Sequence, residues 1–166
     1  MTVDEISDRK PTGTSPANPA SAGFMDAALA EARAAGRQGE VPVGAVVVHD
    51  GAIIARSGNR TLTDSDPTAH AEMVALRAAA ATLGAHRLGA CDLYVTLEPC
   101  AMCAGAISHA RIRRLYYGAT DPKGGAVAHG PRFFAQPTCH HAPEVYDGLA
   151  ASDCAAELKA FFAARR

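Results

Sequence analysis

The chain has 166 residues, 48% of them hydrophobic and 20% charged, with a formal net charge of −1. That length suits one domain with a core large enough to need no disulfide staples. A near-neutral balance excludes a global positive field as a means of holding nucleic acid, so any such role rests on a local patch.

Residues 1–22 mix charges with Pro, Ser and Thr and lack the apolar segment of a signal peptide. That composition predicts a disordered tail ahead of a single domain over 23–166. Phe24, Met25, Ala28, Leu29 and Ala32 then recur at helical spacing, with Ser21 as a cap and Gly36 as a stop. In VGAVVVHDGAIIARSG, two runs rich in β-branched residues flank Asp50-Gly51, the signal of a two-residue hairpin. A turn over Asp64–Thr68 leads into a helix from Ala69 to Leu83, closed by Gly84. Asp92–Leu97 reads as a strand, and EPCAMCAGAISHA as a short helix with Pro99 at its start, where the missing N–H is not needed. Another strand is expected over Arg111–Tyr117, then irregular structure over 121–142 and a short strand around Val145. A last helix runs from Asp153 to about Ala164 with Cys154, Leu158, Phe161 and Phe162 on one stripe. Strands alternating with helices predict an α/β layered domain. No run reaches the roughly 18 apolar residues of a membrane span.

Five cysteines without framework spacing or a signal peptide point to the reducing cytosol, where paired cysteines more often mean metal or catalysis than a disulfide. Cys100 and Cys103 are three apart, so on the first turn of a helix both sulfurs face one way. A helix N-terminus also favours the thiolates that a metal requires. His70 and Glu72 lie at the start of another helix. If the two starts meet, one imidazole, two thiolates and a carboxylate converge, and catalytic zinc uses three protein ligands with the fourth position left to water. Two other readings stay open. Strand, Cys-x-x-Cys, helix is also a thioredoxin-like layout, although a thiol oxidoreductase has no need of the His-Ala-Glu companion. A structural zinc site would take its fourth ligand from Cys91, Cys139, His140 or His141.

His-Ala-Glu at 70–72 followed by Pro-Cys-Ala-Met-Cys at 99–103 resembles the zinc-dependent nucleoside and nucleobase deaminases, whose signature is H-x-E…P-C-x-x-C. From about Met25 to Arg166 the chain is similar to the bacterial tRNA adenosine deaminase branch. The likeness runs through VPVGAVVV, DPTAHAEMVALR, LYVTLEPCAMCAGAISHARI, YYGATDPKGG and FFAARR. It implies a cytidine-deaminase-like three-layer α/β/α sandwich around a five-stranded mixed sheet. It also implies one zinc per subunit on His70, Cys100 and Cys103, with Glu72 as proton shuttle and not a ligand. Asn59 would hydrogen-bond the target base, and Asp121, Lys123, Arg165 and Arg166 would meet the RNA. The implied substrate is adenosine at the wobble position of a tRNA anticodon stem-loop, that of the arginine tRNA with an ACG anticodon, and the implied assembly is a cytoplasmic homodimer.

Free guanine or cytosine deaminases share HAE and PCxxC, and a zinc or redox module without catalysis is the rival from another class. Taken singly, Asn59-Arg60 reads as turn chemistry, DPKGG as a turn, and Arg165-Arg166 as a solvated helix end. Phe161 and Phe162 read as core or interface residues, and Glu98, His129, Cys139, His140 and His141 as structural. The segment from Ala126 to Pro143 follows the family pattern poorly.

Overall fold

The computed structural model describes residues 19–166. The expected tail lies outside the described residues as far as residue 18, and residues 19–22 already belong to the first helix. In chain order the elements are α1 (Pro19–Arg37), β1 (Gly44–His49), β2 (Ala52–Gly58), α2 (Ala71–Leu83), β3 (Cys91–Leu97) and α3 (Ala101–His109). They continue with β4 (Arg114–Ala119), a 3-10 turn (Phe133–Ala135), β5 (Glu144–Tyr146) and α4 (Ala151–Ala163).

The five strands form one mixed sheet in the order β2-β1-β3-β4-β5. Strand β1 is antiparallel to β2 and β3, whereas β3, β4 and β5 run parallel. The period-two alternation of strand side chains sorts them onto two faces. Ala45, Val47, Leu93, Val95, Leu115 and Tyr117 pack with Ala75 and Ala79 of α2 and Ile107 of α3. Val46, Val48, Tyr94 and Tyr116 pack with Met25, Ala28 and Leu29 of α1 and Cys154 of α4. The result is the three-layer α/β/α sandwich with a five-stranded mixed sheet that the resemblance implied.

The β1–β2 hairpin turns at Asp50 (φ 50°) and Gly51 (φ 76°), the two left-handed residues that a tight primed turn demands. Its register shifts between Val47, opposite Ala55, and Val48, opposite Ile53, so Ile54 is the extra residue of a bulge. Across the parallel strands runs a ladder of rings. Tyr94 stacks on Tyr116 at 4.4 Å between centroids, and Tyr116 on Tyr146 at 4.9 Å.

Several boundaries differ from expectation for local reasons. Helix α1 begins at Pro19, so Ser21 lies inside it and its buried hydroxyl sits 3.1 Å from the Tyr94 hydroxyl, where no capping role is left for it. Helices α2 and α3 start after their ligand residues, because His70 and Cys100 hold extended N-cap conformations. Pro99 therefore precedes the cap and is not the first helical residue. Strand β4 starts at Arg114 and not at Arg111. Arg111 adopts a left-handed φ of 60°, and the carbonyls of Ser108 and Ile107 accept the N–H groups of Arg111 and Ile112 in closing α3. On α4 only Cys154 of the expected stripe is buried, and Phe162 is 49% exposed. Phe162 stands one residue, about 100°, round the helix from Phe161 and so turns off the packed face.

Close backbone approach fixes the layer spacing. A Cβ on Gly44 would lie 1.9 Å from the carbonyl oxygen of Ala28 and 2.5 Å from the amide of Ala32, both backbone atoms of α1. Gly44→Ala should therefore push α1 off the sheet and destabilise the fold by about 1–3 kcal/mol, the usual scale of core overpacking. A urea midpoint equal to that of the unsubstituted protein would show that this contact does not set the spacing.

Candidate zinc centre

Two helix starts meet at one point. His70 is the N-cap of α2 and Cys100 the N-cap of α3, and neither side chain makes the capping hydrogen bond. Both are left free to ligate. For α2 the orphan donor is satisfied from elsewhere: Asn59, just past β2, accepts the Ala71 N–H on its Oδ1 at 2.8 Å. That bond fixes the orientation of the amide and leaves its NH₂ as a donor.

His70 Nδ1 stands 3.6 Å from the sulfur of Cys100 and 3.6 Å from that of Cys103. The three ligand atoms all lie within 4.8 Å of one another, and no other such cluster occurs among the described residues. Tetrahedral zinc, with Zn–S near 2.3 Å and Zn–N near 2.05 Å, separates nitrogen from sulfur by about 3.6 Å. The donor set and its spacing therefore fit Zn²⁺. The thiols behave as a pair sharing one proton. Hydrogen bonding from Cys103 and from His70 holds Cys100 down at about 4, while the same sulfur–sulfur contact and burial push Cys103 up. A divalent cation is what allows both sulfurs to be thiolates at once.

Glu72 is buried two residues after His70 and stands outside the ligand triad. Burial pushes its carboxyl up to about 7, with the Cys100 charge adding to the shift, against the pull of hydrogen bonding from its own backbone N–H, of His70 and of the Cys103 thiol. Such a carboxyl exchanges a proton readily near neutral pH. None of Cys91, Cys139, His140 and His141 joins the triad as a fourth ligand. Cys91 is buried in the sheet, Cys139 contacts Ser108 Oγ and the His141 carbonyl, and the His141 ring donates to the Ile112 carbonyl at 2.7 Å.

Two buried carboxylates that sequence reasoning left without a site role hold the loops on either side. Glu40 accepts the N–H groups of Leu62 and Thr63 and the hydroxyls of Thr61 and Thr63, which fixes the loop leading to His70. Glu98 accepts from Asp121, Val127, Ala128 and His129. Burial raises the pKa of each, but these donors outweigh it and hold both carboxyls below the usual range. Glu40 falls in no motif, and Glu98 lies in the LYVTLEPCAMC block but outside the zinc signature. The one available signal was a glutamate next to an apolar strand, as in LEPC.

The four residues expected at the RNA differ in their surroundings. Asp121 is half-buried, and its Oδ1 accepts the N–H groups of Lys123 and Gly124. Lys123, Arg165 and Arg166 are exposed. The Arg165 guanidinium lies 3.4 Å over the Phe161 ring and donates to the Phe161 carbonyl.

Residues 20–119 match the family model of the cytidine and deoxycytidylate deaminase zinc-binding region. The chain is 65% identical over 143 residues to the tRNA-specific adenosine deaminase of Agrobacterium fabrum, covering 86% of this chain and 94% of that protein. A solved structure from a study of A-to-I editing by tRNA:A34 deaminases at the wobble position is 66% identical, covers 82% of this chain and 99% of its own, and superposes with a TM-score of 0.81. Guanine deaminase from Bacillus subtilis is 46% identical over 59% of this chain and 63% of its own, with a TM-score of 0.58. From the triad, the sandwich that carries it and these likenesses together, the chain belongs to the cytidine and deoxycytidylate deaminase family and, within it, to the tRNA-specific adenosine deaminases.

Proposed function

We propose that the chain is a tRNA adenosine deaminase that hydrolyses adenosine to inosine at wobble position 34 of an anticodon stem-loop, that of the arginine tRNA with an ACG anticodon. One observation carries the chemistry: a zinc-spaced His70–Cys100–Cys103 triad with buried Glu72 beside it. The relatives carry the choice of substrate. Residues 23–166, with the four before them that complete the described part of α1, act as one catalytic domain. The enzyme works in the cytoplasm as a homodimer, a reading supported by the family resemblance. Among the described residues no helix is long and apolar enough to cross a membrane.

His70, Cys100 and Cys103 would hold a zinc ion, which when bound would make a water acidic enough to lose a proton near neutral pH. Glu72 takes a proton from the attacking water and delivers it to the purine ring nitrogen beside C6 as the oxygen bonds to C6, then carries the proton of that new hydroxyl to the amine as the C6–N bond breaks. Adenosine and water become inosine and ammonia, with Glu72 returned to its first state. The free NH₂ of Asn59 donates to the base, while its Oδ1 stays on α2. Lys123, Arg165 and Arg166 supply exposed positive charge for the phosphates, and Asp121 shapes the turn that presents Lys123.

Purified protein should carry about one zinc per chain by elemental analysis, and Cys100→Ala or Cys103→Ala should lose it. Metal-free protein cycling a Cys100–Cys103 disulfide at a defined potential would instead establish a redox pair.

Glu72→Gln keeps the shape but removes the proton carrier. Turnover should fall by at least ~10²-fold with zinc content retained. Activity within a few-fold of the parent would exclude the assigned role.

A stem-loop brings phosphates and a presented, largely unstacked base, and binding energy from those remote contacts helps to place C6. Inosine and ammonia should form rapidly from a stem-loop bearing a wobble adenosine, with negligible turnover of free adenosine, cytidine, cytosine or guanine. Efficient deamination of guanine or cytosine with an untouched stem-loop would leave the zinc chemistry standing and overturn the substrate.

A further inference from the structure

The segment 121–129 carries Asp121 and Lys123 and has no helix or strand of its own. Backbone bonds hold it through Gly125 N–H to the Asp121 carbonyl and Ala126 N–H to the Pro99 carbonyl, each 2.9 Å, and through the Ala126 and His129 carbonyls, which accept from Phe133 (2.7 Å) and Arg132 (3.2 Å). The N–H groups of residues 127–129 are all gathered by one side chain. Glu98 Oε1 accepts three successive backbone N–H groups, from Val127 (3.2 Å), Ala128 (2.9 Å) and His129 (3.1 Å). Its Oε2 accepts the Asp121 N–H at 2.9 Å and the His129 ring Nδ1–H at 2.9 Å. The Glu98 side chain is fully buried, and the segment wraps it so tightly that a Cβ on Gly125 would lie 2.5 Å from the Glu98 carboxyl carbon.

The bonds form a relay. Glu98 lies two residues before the ligand Cys100 and grips Asp121 by its N–H. Asp121 in turn uses its carboxylate to hold the N–H groups of Lys123 (3.1 Å) and Gly124 (3.0 Å), which turns the chain and leaves the Lys123 side chain exposed. Five donors and no acceptor face Glu98, so only a carboxylate satisfies the set. A glutamine would aim an NH₂ at groups that are themselves donors.

We propose that Glu98 is a positioning residue for substrate binding, setting the 121–129 segment from the zinc-ligand junction so that Lys123 meets an RNA phosphate. This rests on the reading of Lys123 as a phosphate contact. Its effect is on where a cation stands, so it is legible in the salt dependence of binding, which counts phosphates neutralised at about 0.7 per contact for single strands. A lowered stability alone leaves that count untouched.

The test is the dissociation constant of a fluorescent anticodon stem-loop, measured against salt with the zinc-loaded full chain. The variants are Lys123→Ala, Glu98→Gln and the two combined, with zinc content recorded for each. Each single variant should lower the log–log slope by about 0.7, and the double variant should lower it no further. If Glu98→Gln does not fold, Gly125→Ala disturbs the same contact from the segment side and enters the same cycle with Lys123→Ala. A Lys123→Ala protein with the parental slope overturns the phosphate contact itself. A normal Lys123→Ala effect overturns the positioning role if Glu98→Gln or Gly125→Ala keeps the parental slope, or if the double variant loses a second increment.

Discussion

Bringing one imidazole and two thiols within a single coordination sphere requires two helices to begin at the same place, and the rest of the fold follows from that demand. A helix start has unsatisfied N–H groups, and the side chain best placed to satisfy them is that of the N-cap. Here both N-cap side chains are withheld for ligation, so the donors must be met by other parts of the chain. Asn59 performs that service for α2, which ties the end of β2 to the start of α2. Strand β3, feeding α3 and paired with both β1 and β4, brings the second helix start alongside the first.

The loops around this point have little regular structure to define them, and buried charge replaces it. Leaving a carboxylate in the interior costs several kcal/mol in lost hydration, offset here because both oxygens of each carboxylate accept from donors, four bonds in all for Glu40 and five for Glu98. Glu40 on one side and Glu98 on the other each gather several N–H groups that no ladder would otherwise use. A carboxylate is strict about geometry because a missing donor leaves part of an ionic charge unsatisfied. Such loops are therefore stiff although they are irregular, and stiffness is what a site needs if it must hold a reacting atom without reorganising.

Much of this was legible in the sequence because the signals were local. Asp50-Gly51 announces its turn, Cys100 and Cys103 their shared direction, and the β-branched run in VGAVVV and the compact DLYVTL their strands. The ligand triad was legible as a pattern, and its meeting in space followed from the fold. What escaped was non-local. Helix α1 starts earlier than its apolar stripe suggests, since Ser21 reaches Tyr94, 73 residues away. The starts of α2 and α3 were each misplaced by two residues because their caps are ligands, which propensity does not encode. The roles of Glu40 and Glu98 depend on loops that approach from far along the chain, and a lone glutamate carries no mark of that. The exposure of Phe162 was missed because an apolar pair at a helix end looks like core from composition alone.

The tyrosine ladder gives the molecule a built-in optical property. The chain has four tyrosines and no tryptophan, and Tyr94, Tyr116, Tyr117 and Tyr146 all stand on β3, β4 and β5. Its intrinsic ultraviolet emission therefore arises from the parallel half of the sheet alone. Three of those rings are stacked within 5 Å of a neighbour, close enough for their excited states to couple and to give a near-ultraviolet circular dichroism sensitive to strand alignment. Tyrosine emission of this protein thus watches one half of one sheet, from the central β3 to the edge strand β5, and a change there reports on how these strands sit against one another.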